Sequence, residues 1–429
     1  MLTRIDLRDF DGDVADRLPR PEVPSGGPVT VVREILQAVR ERGDSAIREF
    51  AEQFDGVKLA SAAVSPSDIA AALDRIDPLV RTALEAAAQR IAVYHRAQMP
   101  EDVDVEGAGI VIAGRHHPVR RAGCYVPGGR AAYPSTVLMT AIVARVAGVE
   151  EVVVCVPPDS NGSVPDVTLA AAAVAGVDEV FAVGGAQAIG ALAYGTETIR
   201  GVDVIVGPGN AYVAVAKQEV AGLVGVPSSF AGPSEVVVVA DGSAPSEFAA
   251  IDLIVQAEHG PDGLAWLVTW DESFADEVTA SVERLACEAR RRSDIESTLA
   301  RSGYAVLCSG PVQAMAVSNH IAPEHLELQT ADPQALLGMV RDAGAVFCGA
   351  WTPASLGDYV AGPSHVLPTS GTARFASSLT VRDFMKDVHI VTAEKEGFAM
   401  LGDHVLALAG AEGLDAHAAS IRIRQEARL

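Results

Sequence analysis

From about residue 111 onward, short runs of β-branched residues alternate with alanine-rich stretches that are long enough to form helices. Runs such as residues 151–156 and 202–206 are almost entirely apolar, which is typical of strands buried on both faces of a parallel sheet. Glycine-rich corners follow several of these runs. The repeated strand–helix–strand order predicts an α/β fold with helices on both sides of each sheet, and such folds place ligands at the C-terminal ends of the strands.

A chain of 429 residues is too long for one ordinary core, so more than one domain is expected. The strand and helix pattern begins again at about residue 236, and we place a domain boundary at Ser234 and Glu235. We predict two α/β domains of an incomplete Rossmann type with parallel sheets, and we assign the helices predicted within 28–100 to the larger one. The predicted divisions are an N-terminal arm at 1–25, a discontinuous larger domain at 26–122 and 235–374, a second domain at 123–234 and a helical C-terminal tail at 375–429.

Charge and cysteine content narrow the possible partners and surroundings. The formal net charge of −23 argues against nucleic acid or an anionic membrane surface, because phosphate binding needs clustered lysine and arginine. The five cysteines are widely spaced and form no Cys-x-x-Cys pair, which suits a reducing cytoplasm better than a disulfide framework or a thiolate zinc site. The first residues are charged where a signal peptide needs an apolar core, and the longest apolar run, between Asp166 and Asp178, is far short of the ~20 residues of a membrane span. We therefore predict a cytoplasmic protein.

A helix predicted for residues 246–259 ends in a polar segment just before Gly260 and Pro261. Gln256 and His259 are three residues apart, so on a helix their side chains share one face, with Cβ atoms roughly 5–6 Å apart. An amide oxygen and a neutral imidazole in this arrangement can hold one small cation. Alternatively, His259 is an ordinary C-terminal helix residue that interacts with the helix dipole.

Glu324 and His325 are adjacent in a second polar segment. These two residue types are the natural general acid and base near neutral pH. Neighbouring side chains of a regular strand point to opposite faces, so both reach one site only if the backbone is irregular, and Pro323 makes a turn plausible. The alternative is a surface glutamate beside a histidine whose hydrogen bonds are already satisfied.

Three further polar stretches could contribute to a site. Asp358 precedes a loop that ends at His365, and its carboxylate could complete a metal site or belong to a turn. Glu412 and His417 could reach one site if the chain bends at the glycine between them, or they could form a polar tail. Ser234, at the proposed domain boundary, could bind a substrate in an interdomain cleft or lie in a linking turn.

Several common enzyme motifs are absent. The sequence contains no Gly-x-Gly-x-x-Gly dinucleotide fingerprint, no phosphate-binding P-loop, no His-Glu-x-x-His and no Gly-x-Ser-x-Gly. These absences weaken, in turn, a standard Rossmann dehydrogenase, an NTPase, a zinc protease and a serine hydrolase.

Nine short motifs occur in order along nearly the whole chain. They are Tyr125-Val-Pro-Gly-Gly129, Pro134-Ser-Thr-Val-Leu-Met139, Gly184-Gly-Ala-Gln187, Gly207-Pro-Gly-Asn210, Gly232-Pro-Ser-Glu235, Gln256-Ala-Glu-His-Gly-Pro-Asp-Gly263, Pro323-Glu-His-Leu-Glu327, Gly362-Pro-Ser-His365 and Glu412-Gly-Leu-Asp-Ala-His417. Together they resemble the histidinol dehydrogenase family, whereas the N-terminal arm and residues 280–315 carry little of the resemblance.

The resemblance implies an NAD-dependent enzyme of histidine biosynthesis that oxidises L-histidinol through the aldehyde to L-histidine and reduces two NAD. It also implies one Zn²⁺ per subunit, and a homodimer whose active sites lie between domains and are shared because the C-terminal segment crosses to the other subunit. The zinc ligands that the resemblance implies are Gln256, His259, Asp358 and His417, and the implied catalytic pair is Glu324 and His325. The implied substrate contacts are Ser234, Gln256, His259, His325, Asp358, Glu412 and His417, and the implied NAD contacts are Tyr125, Gln187 and Asn210.

The implied reaction suits these residue types. An alcohol carbon loses a hydride while its hydroxyl loses a proton, and we assign the role of base to His325. The aldehyde must then be hydrated before a second hydride can leave, and the carboxylate of Glu324 suits activation of that water. Mixed oxygen and nitrogen ligands suit an open zinc site, whose main role is to orient the substrate's imidazole and amine.

Three other functions remain open at this point. A metal-dependent hydrolase could use Gln256, His259 and Asp358 to activate water without any NAD. A non-catalytic metal-binding relative is possible, although the presence of Glu324 and His325 counts against it. The same oxidation could also act on a different amino alcohol.

Overall fold

The computed structural model describes residues 1–19, 28–129, 131–227, 234–258, 260 and 263–427. Its strands are β1 (Thr3–Asp6), β2 (Val103–Gly107), β3 (Ile110–Pro118), β4 (Arg121–Tyr125), β5 (Glu151–Val156), β6 (Glu179–Ala182), β7 (Val204–Val206), β8 (Glu235–Ala240), β9 (Leu264–Thr269), β10 (Gly303–Leu307), β11 (His325–Gln329), β12 (Ala345–Cys348) and β13 (Met385–Ala393). Its α-helices are α1 (Val29–Arg42), α2 (Asp44–Phe50), α3 (Pro66–Arg75), α4 (Pro78–Ala97), α5 (Pro134–Val146), α6 (Asp166–Val174), α7 (Gly185–Tyr194), α8 (Ala211–Val220), α9 (Ser246–Ala257), α10 (Glu272–Glu288), α11 (Arg292–Ser302), α12 (Pro311–Ile321), α13 (Gln334–Leu337), α14 (Ala354–Tyr359), α15 (Lys395–Ala411) and α16 (Asp415–Glu426). In this described part of the chain, no helix combines the length and the apolar character needed to cross a membrane.

The smaller parallel sheet has the strand order β6, β5, β4, β7. Alternate residues of its strands enter two different cores, so that Val152 and Val154 pack on the side of α5 and α6. Val153 and Cys155 pack on the opposite side, with α7 and α8. Because both faces are covered, the strands are apolar after their first residues, and the predicted α/β layering is confirmed for this sheet.

The helices between residues 28 and 100 also cover the smaller sheet, so our assignment of them to the larger domain is wrong. Helices α3 and α4 extend the core formed by α5 and α6, and α1 packs on α7. Gly190 of α7 allows this close approach, since a Cβ atom there would lie 3.1 Å from Leu36 and 3.3 Å from Val39. A helical repeat of apolar residues predicts one buried face for each helix but does not predict which sheet that face will contact.

The larger sheet has the strand order β1, β10, β9, β8, β11, β12, and every neighbouring pair is parallel. Helices α9, α10 and α11 cover one face, and α12 covers the other. Strand β1 lies within the predicted N-terminal arm, so part of that arm is an edge strand of this sheet. The chain leaves the smaller sheet after α8 and enters the larger sheet at β8, whose first residue is Glu235.

A third sheet is antiparallel and has the order β13, β3, β2. The C-terminal tail was predicted to be helical from residue 375, but residues 385–393 form β13, so that prediction is wrong for this segment. Most of the β13 side chains are exposed, and the strand therefore lacks the continuous apolar run that marks the buried strands. Helices α15 and α16 follow and pack on each other.

Candidate active site

Two titratable side chains, Glu324 and His325, lie together at the N-terminal end of β11. The turn after α12 places Ala322 in the left-handed region with φ of +52°, and β11 begins only at His325, so Glu324 lies outside the regular strand. Both side chains are buried, and Glu324 Oε2 lies 3.8 Å from His325 Nδ1. The irregular backbone that both groups need in order to reach one site is therefore present.

His325 lies between two carboxyl groups. Its Nε2 atom is 3.4 Å from Oδ1 of Asp358 on α14, and neither ring nitrogen makes a well-aligned hydrogen bond to another described residue. Burial on its own lowers the pKa of an imidazole, but Glu324 and Asp358 outweigh this effect and raise the pKa of His325 to about 9. In this arrangement the imidazole holds its proton at neutral pH.

A second buried acid, Glu235, lies beside Glu324. The backbone N–H of Glu235 donates to Glu324 Oε2 at 3.2 Å, and the Ser234 hydroxyl donates to the same carboxyl group. Burial and repulsion from Glu324 raise the pKa of Glu235 to about 8. Burial likewise raises the pKa of Glu324, although His325 and Ser234 oppose that rise. Glu235 is therefore mostly neutral near pH 7, which limits the repulsion between the two acids.

A cavity of about 300 Å³ opens beside these groups, and His325, Phe347, Asp358 and His365 contribute to its wall. Phe347 stacks on the imidazole of His325 with ring centroids 5.9 Å apart. His365 Nδ1 donates to the backbone carbonyl of Asp358 at 2.9 Å, which leaves Nε2 to accept from the Thr136 hydroxyl at 3.1 Å. The cavity therefore has an aromatic wall at Phe347, and the imidazole of His365 holds the backbone of Asp358.

The structure brings together only part of the predicted zinc ligand set. Asp358 lines the cavity, and Gln256 is buried in the last turn of α9 with no hydrogen-bond partner for Nε2 among the described residues. His259 lies outside the described residues. His417 is exposed on α16. Among the residues that the structure describes, no group of three or more His, Cys, Asp or Glu side chains is placed to hold a metal ion.

Glu412 and His417, predicted as substrate contacts, lie at the junction between α15 and α16. Both are exposed, and neither is part of the cavity wall. Their helices pack on each other at the end of the chain. Within one chain, therefore, these two side chains are not among the groups that line the cavity.

The three predicted NAD contacts lie at the C-terminal edge of the smaller sheet. Tyr125 ends β4, and its hydroxyl accepts from the backbone N–H of Gly185 at 3.1 Å. Gln187 is buried in the first turn of α7, where its Oε1 lies 2.6 Å from the position of a Cβ on Gly185. Asn210 follows the neighbouring strand β7 and caps α8, its Oδ1 accepting from Val213 N–H at 3.1 Å. Tyr125 and Gln187 thus meet at Gly185, with Asn210 at the adjacent strand end.

Comparison with known proteins identifies the family. Residues 19–425 match the sequence family described as histidinol dehydrogenase. The chain belongs to the histidinol dehydrogenase family. A histidinol dehydrogenase of Pseudomonas putida is 50% identical over 397 residues, which cover 92% of this chain and 90% of the relative. One from a Synechococcus species is 49% identical over 398 residues, or 92% of each chain. The crystal structure of histidinol dehydrogenase from Elizabethkingia anophelis superposes with a TM-score of 0.94 and 32% identity, over 99% of this chain and 98% of that one.

Membership of the histidinol dehydrogenase family makes this chain an oxidoreductase that acts on an alcohol group. The family predicted from the nine motifs is thereby confirmed, and every predicted site residue lies within the matched range.

Several polar groups near the site of this histidinol dehydrogenase family member are not among the residues predicted from the sequence. His365 was quoted in a motif but not predicted as a site residue, although its position at the end of the loop after Asp358 was a usable signal. Glu235 was treated only as part of a boundary segment. Of two buried acids on α9 and β11, Glu327 was quoted in a motif without a role, and Asp252 was not singled out. The signal for Glu327 was its place as an acid within a strand whose neighbours Leu326 and Leu328 are apolar.

Proposed function

We propose that the chain oxidises L-histidinol to L-histidine through L-histidinaldehyde and transfers the two hydrides to two molecules of NAD, the last steps of histidine biosynthesis. The observation that carries this proposal is the position of His325 between Glu324 and Asp358 at the wall of a cavity, in a chain of this family. The cavity supplies a concave surface beside the buried base on which a small substrate could be held.

The predicted ligands suit zinc in their chemistry. An amide oxygen from Gln256, a carboxylate oxygen from Asp358 and imidazole nitrogens from His259 and His417 are donors of the kind that borderline zinc accepts. The amide nitrogen of Gln256 is buried without a partner among the described residues, so this side chain has hydrogen-bonding capacity that the chain itself does not use. When bound, one Zn²⁺ per subunit would orient the substrate's imidazole and amine and would neutralise Asp358.

In the first oxidation His325 takes the proton of the substrate hydroxyl while the carbinol carbon gives its hydride to NAD. A base must start unprotonated, whereas His325 holds a proton as long as both neighbouring acids are charged. If zinc neutralises the Asp358 carboxylate, only Glu324 still favours the protonated imidazole. Burial then lowers the pKa of His325 towards neutral pH, where an imidazole can act as a base.

In the second oxidation Glu324 takes a proton from water as the water oxygen bonds to the aldehyde carbon, and the His325 imidazolium gives the carbonyl oxygen the proton that it took in the first oxidation, which forms the hydrate. His325 then takes a hydrate proton while the second hydride leaves to a second NAD. Ser234 and the backbone N–H of Glu235 hold the Glu324 carboxyl group in place for the hydration step.

Tyr125, Gln187 and Asn210 are proposed to bind NAD. They surround the starts of α7 and α8, and the N-terminal end of a helix favours a diphosphate. The absence of a Gly-x-Gly-x-x-Gly fingerprint is consistent with an NAD site that uses these three side chains and two helix starts instead of a glycine-rich loop.

The proposed stoichiometry provides a direct test. Purified protein, zinc, L-histidinol and NAD are expected to give NADH and histidine in a ratio of two to one, whereas an amino alcohol without an imidazole is expected to react poorly. E324Q is expected to slow the oxidation of supplied histidinaldehyde more than the oxidation of histidinol. E288Q, at an exposed position on α10, is the matched control. One NADH with accumulated aldehyde, or turnover without NAD, would contradict the proposal.

We also propose a homodimer in which Glu412 and His417 complete the neighbouring active site. Both side chains are exposed, and exposed apolar side chains such as Leu408, Ile390 and Val105 lie on α15 and on the antiparallel sheet. Mixing inactive H417A and H259A subunits is expected to restore part of the activity, because one site of each mixed dimer then has all of its ligands. No recovery after confirmed subunit exchange would mean that each site is built from one chain.

A further inference from the structure

One strand of the larger sheet carries a row of polar side chains where its neighbours are apolar. Glu327 and Gln329 follow His325 at alternate positions of β11 and therefore point to the same face of the sheet. They pair with Val238 and Ala240 of β8, which lie in the apolar core under α9. The polar row thus faces helix α9 from within an otherwise hydrophobic surface.

The row is linked to α9 and α14 through buried hydrogen bonds. Gln329 Nε2 donates to Asp252 Oδ2 on α9 at 2.7 Å and to Glu327 Oε2 at 2.8 Å. Glu327 Oε1 accepts from the backbone N–H of Ala354, the first residue of α14, at 2.8 Å. Asp252, Glu327 and Gln329 are all buried, and Glu327 has no exposed surface. We call these three side chains the buried polar hub.

The hub contains two acids that share a proton. Burial and the neighbouring charge of Glu327 raise the pKa of Asp252 to about 8. Near neutral pH Asp252 is therefore protonated and donates to Glu327, whose carboxylate also accepts from Gln329 and Ala354. The three donors around one carboxylate account for its complete burial.

Each element that the buried polar hub contacts also carries a residue of the proposed active site. Asp252 lies one helical turn before Gln256 on α9. Glu327 lies two residues after His325 on β11, and Ala354 begins the short helix that carries Asp358. The hub therefore connects the three secondary-structure elements from which these site residues project.

Stability alone does not explain such a hub. A buried group of charged and polar side chains contributes little compared with apolar side chains of similar volume, and its replacement by them is often neutral or stabilising. Its directional hydrogen bonds, by contrast, restrict how the elements can slide or rotate against each other. We infer that Asp252, Glu327 and Gln329 are positioning residues that set the distances among Gln256, His325 and Asp358 and hence the hold on the proposed zinc ion. This inference rests on the proposed function.

The test compares zinc binding, turnover and thermal unfolding in E327Q, D252N and the control E288Q. In E327Q an amide group faces donors that a carboxylate accepts, so competition with a chromophoric chelator is expected to show zinc affinity lowered by roughly 10–100-fold, with a comparable fall in kcat. D252N is expected to lose much less, because the amide of an asparagine can donate to Glu327 as the protonated acid does. E288Q is expected to match the unmodified chain in all three measurements.

The outcomes separate the inference from the proposed function. A folded E327Q with unchanged zinc affinity and kcat, or a fall only in unfolding temperature, would overturn the positioning role while the proposed function stands. An unmodified chain that binds no zinc and forms no NADH from histidinol would overturn the proposed function itself. If E327Q does not fold, D252L provides the same test, since leucine breaks the link to α9 but leaves Ala354 paired with Glu327, and unchanged zinc affinity there would overturn the inference.

Discussion

The two parallel sheets use opposite edges for their polar chemistry. At the C-terminal edge of the smaller sheet, the predicted NAD contacts surround glycine turns and helix starts, and backbone groups supply much of the polarity. At the N-terminal edge of the larger sheet, buried acids surround His325 and the pKa values of His325 and Glu235 are shifted. A diphosphate is recognised well by fixed backbone N–H groups, whereas proton transfer needs side chains that can titrate. If the proposed sites are right, the rule that α/β folds bind ligands at C-terminal strand ends applies to only one of the two sheets.

If the two edges have separate roles, a substitution at the N-terminal edge of the larger sheet should lower kcat without lowering the affinity for NAD. H325N is expected to lower kcat by about 100–10,000-fold, because asparagine cannot accept the substrate proton. NAD affinity, measured by fluorescence titration, is expected to match that of the exposed control E288Q. A parallel loss of NAD affinity would mean that the two edges are not separable.

A substitution of Asp358 tests whether the N-terminal edge of the larger sheet binds zinc. D358N removes an anionic ligand, so zinc content after dialysis is expected to fall, with zinc affinity reduced at least by the ~10–100-fold that loss of an outer-shell partner costs. Elemental analysis and chelator competition measure these quantities. Full zinc content in a folded D358N would exclude the proposed ligand role.

The glycine edge should show the reverse pattern. Gly185 and Gly176 share a φ of +66°, but a Cβ on Gly185 would lie 2.6 Å from Gln187 Oε1, while a Cβ on Gly176 has nothing within 4 Å. Both G185A and G176A are expected to cost about 1–2 kcal/mol of stability through backbone strain. Only G185A is expected to raise the KM for NAD, by roughly tenfold, which corresponds to ~1.4 kcal/mol.

Zinc content should be unchanged in both glycine variants. An equal rise in the KM for NAD in G176A would show that general loss of stability, rather than the turn at Gly185, controls cofactor binding.

The last expected effect concerns stability at the charged edge rather than catalysis or binding. The pKa of Glu235 rises from its ordinary 4.5 to about 8 on folding, so between these values the unfolded chain releases a proton that the folded chain retains. This group therefore destabilises the fold progressively as the pH rises from about 4.5 to about 8. E235Q cannot ionise, so its stability relative to the unmodified chain is expected to increase between pH 5 and pH 8, by a few kcal/mol at ~1.4 kcal/mol per pKa unit.

Urea unfolding at the two pH values checks this prediction, with E288Q as the reference whose offset should stay constant. A relative stability of E235Q that falls with pH would show that Glu235 is ionised in the folded chain.

Sequence reasoning worked best where burial leaves a continuous pattern. The strand predicted from residue 236 is present as β8, and its residues 236–240 form a continuous apolar run because the strand is covered on both faces. The same signal fails for β13, whose side chains are mostly exposed. For α1 and α4 the apolar pattern predicts a buried face but does not predict which of the two sheets that face contacts.

The site was predictable in its residues but not in its contacts. The resemblance implied Glu324, His325 and Asp358 as site residues, yet nothing in the sequence fixes the 3.4 Å distance between an imidazole and a carboxylate that lie far apart along the chain. The link between Asp252 and Glu327 was missed because isolated acids in predicted helices and strands are usually solvent-exposed. Only their packing against each other shows that both are buried.

His365 joins the two halves of the molecule through its two ring nitrogens, one bonded to Asp358 and the other to Thr136 at the start of α5. Ser364 makes a second hydrogen bond to α5, in which its hydroxyl donates to the carbonyl oxygen of Met139 at 3.1 Å. Because α5 follows the turn after Tyr125, a proposed NAD contact, a tilt of that helix as one dinucleotide leaves and the next arrives would pull on the backbone of Asp358, a proposed zinc ligand. Under the proposed function the enzyme exchanges NAD between two half-reactions while an aldehyde stays bound, and the His365 imidazole would transmit the effect of that exchange to Asp358.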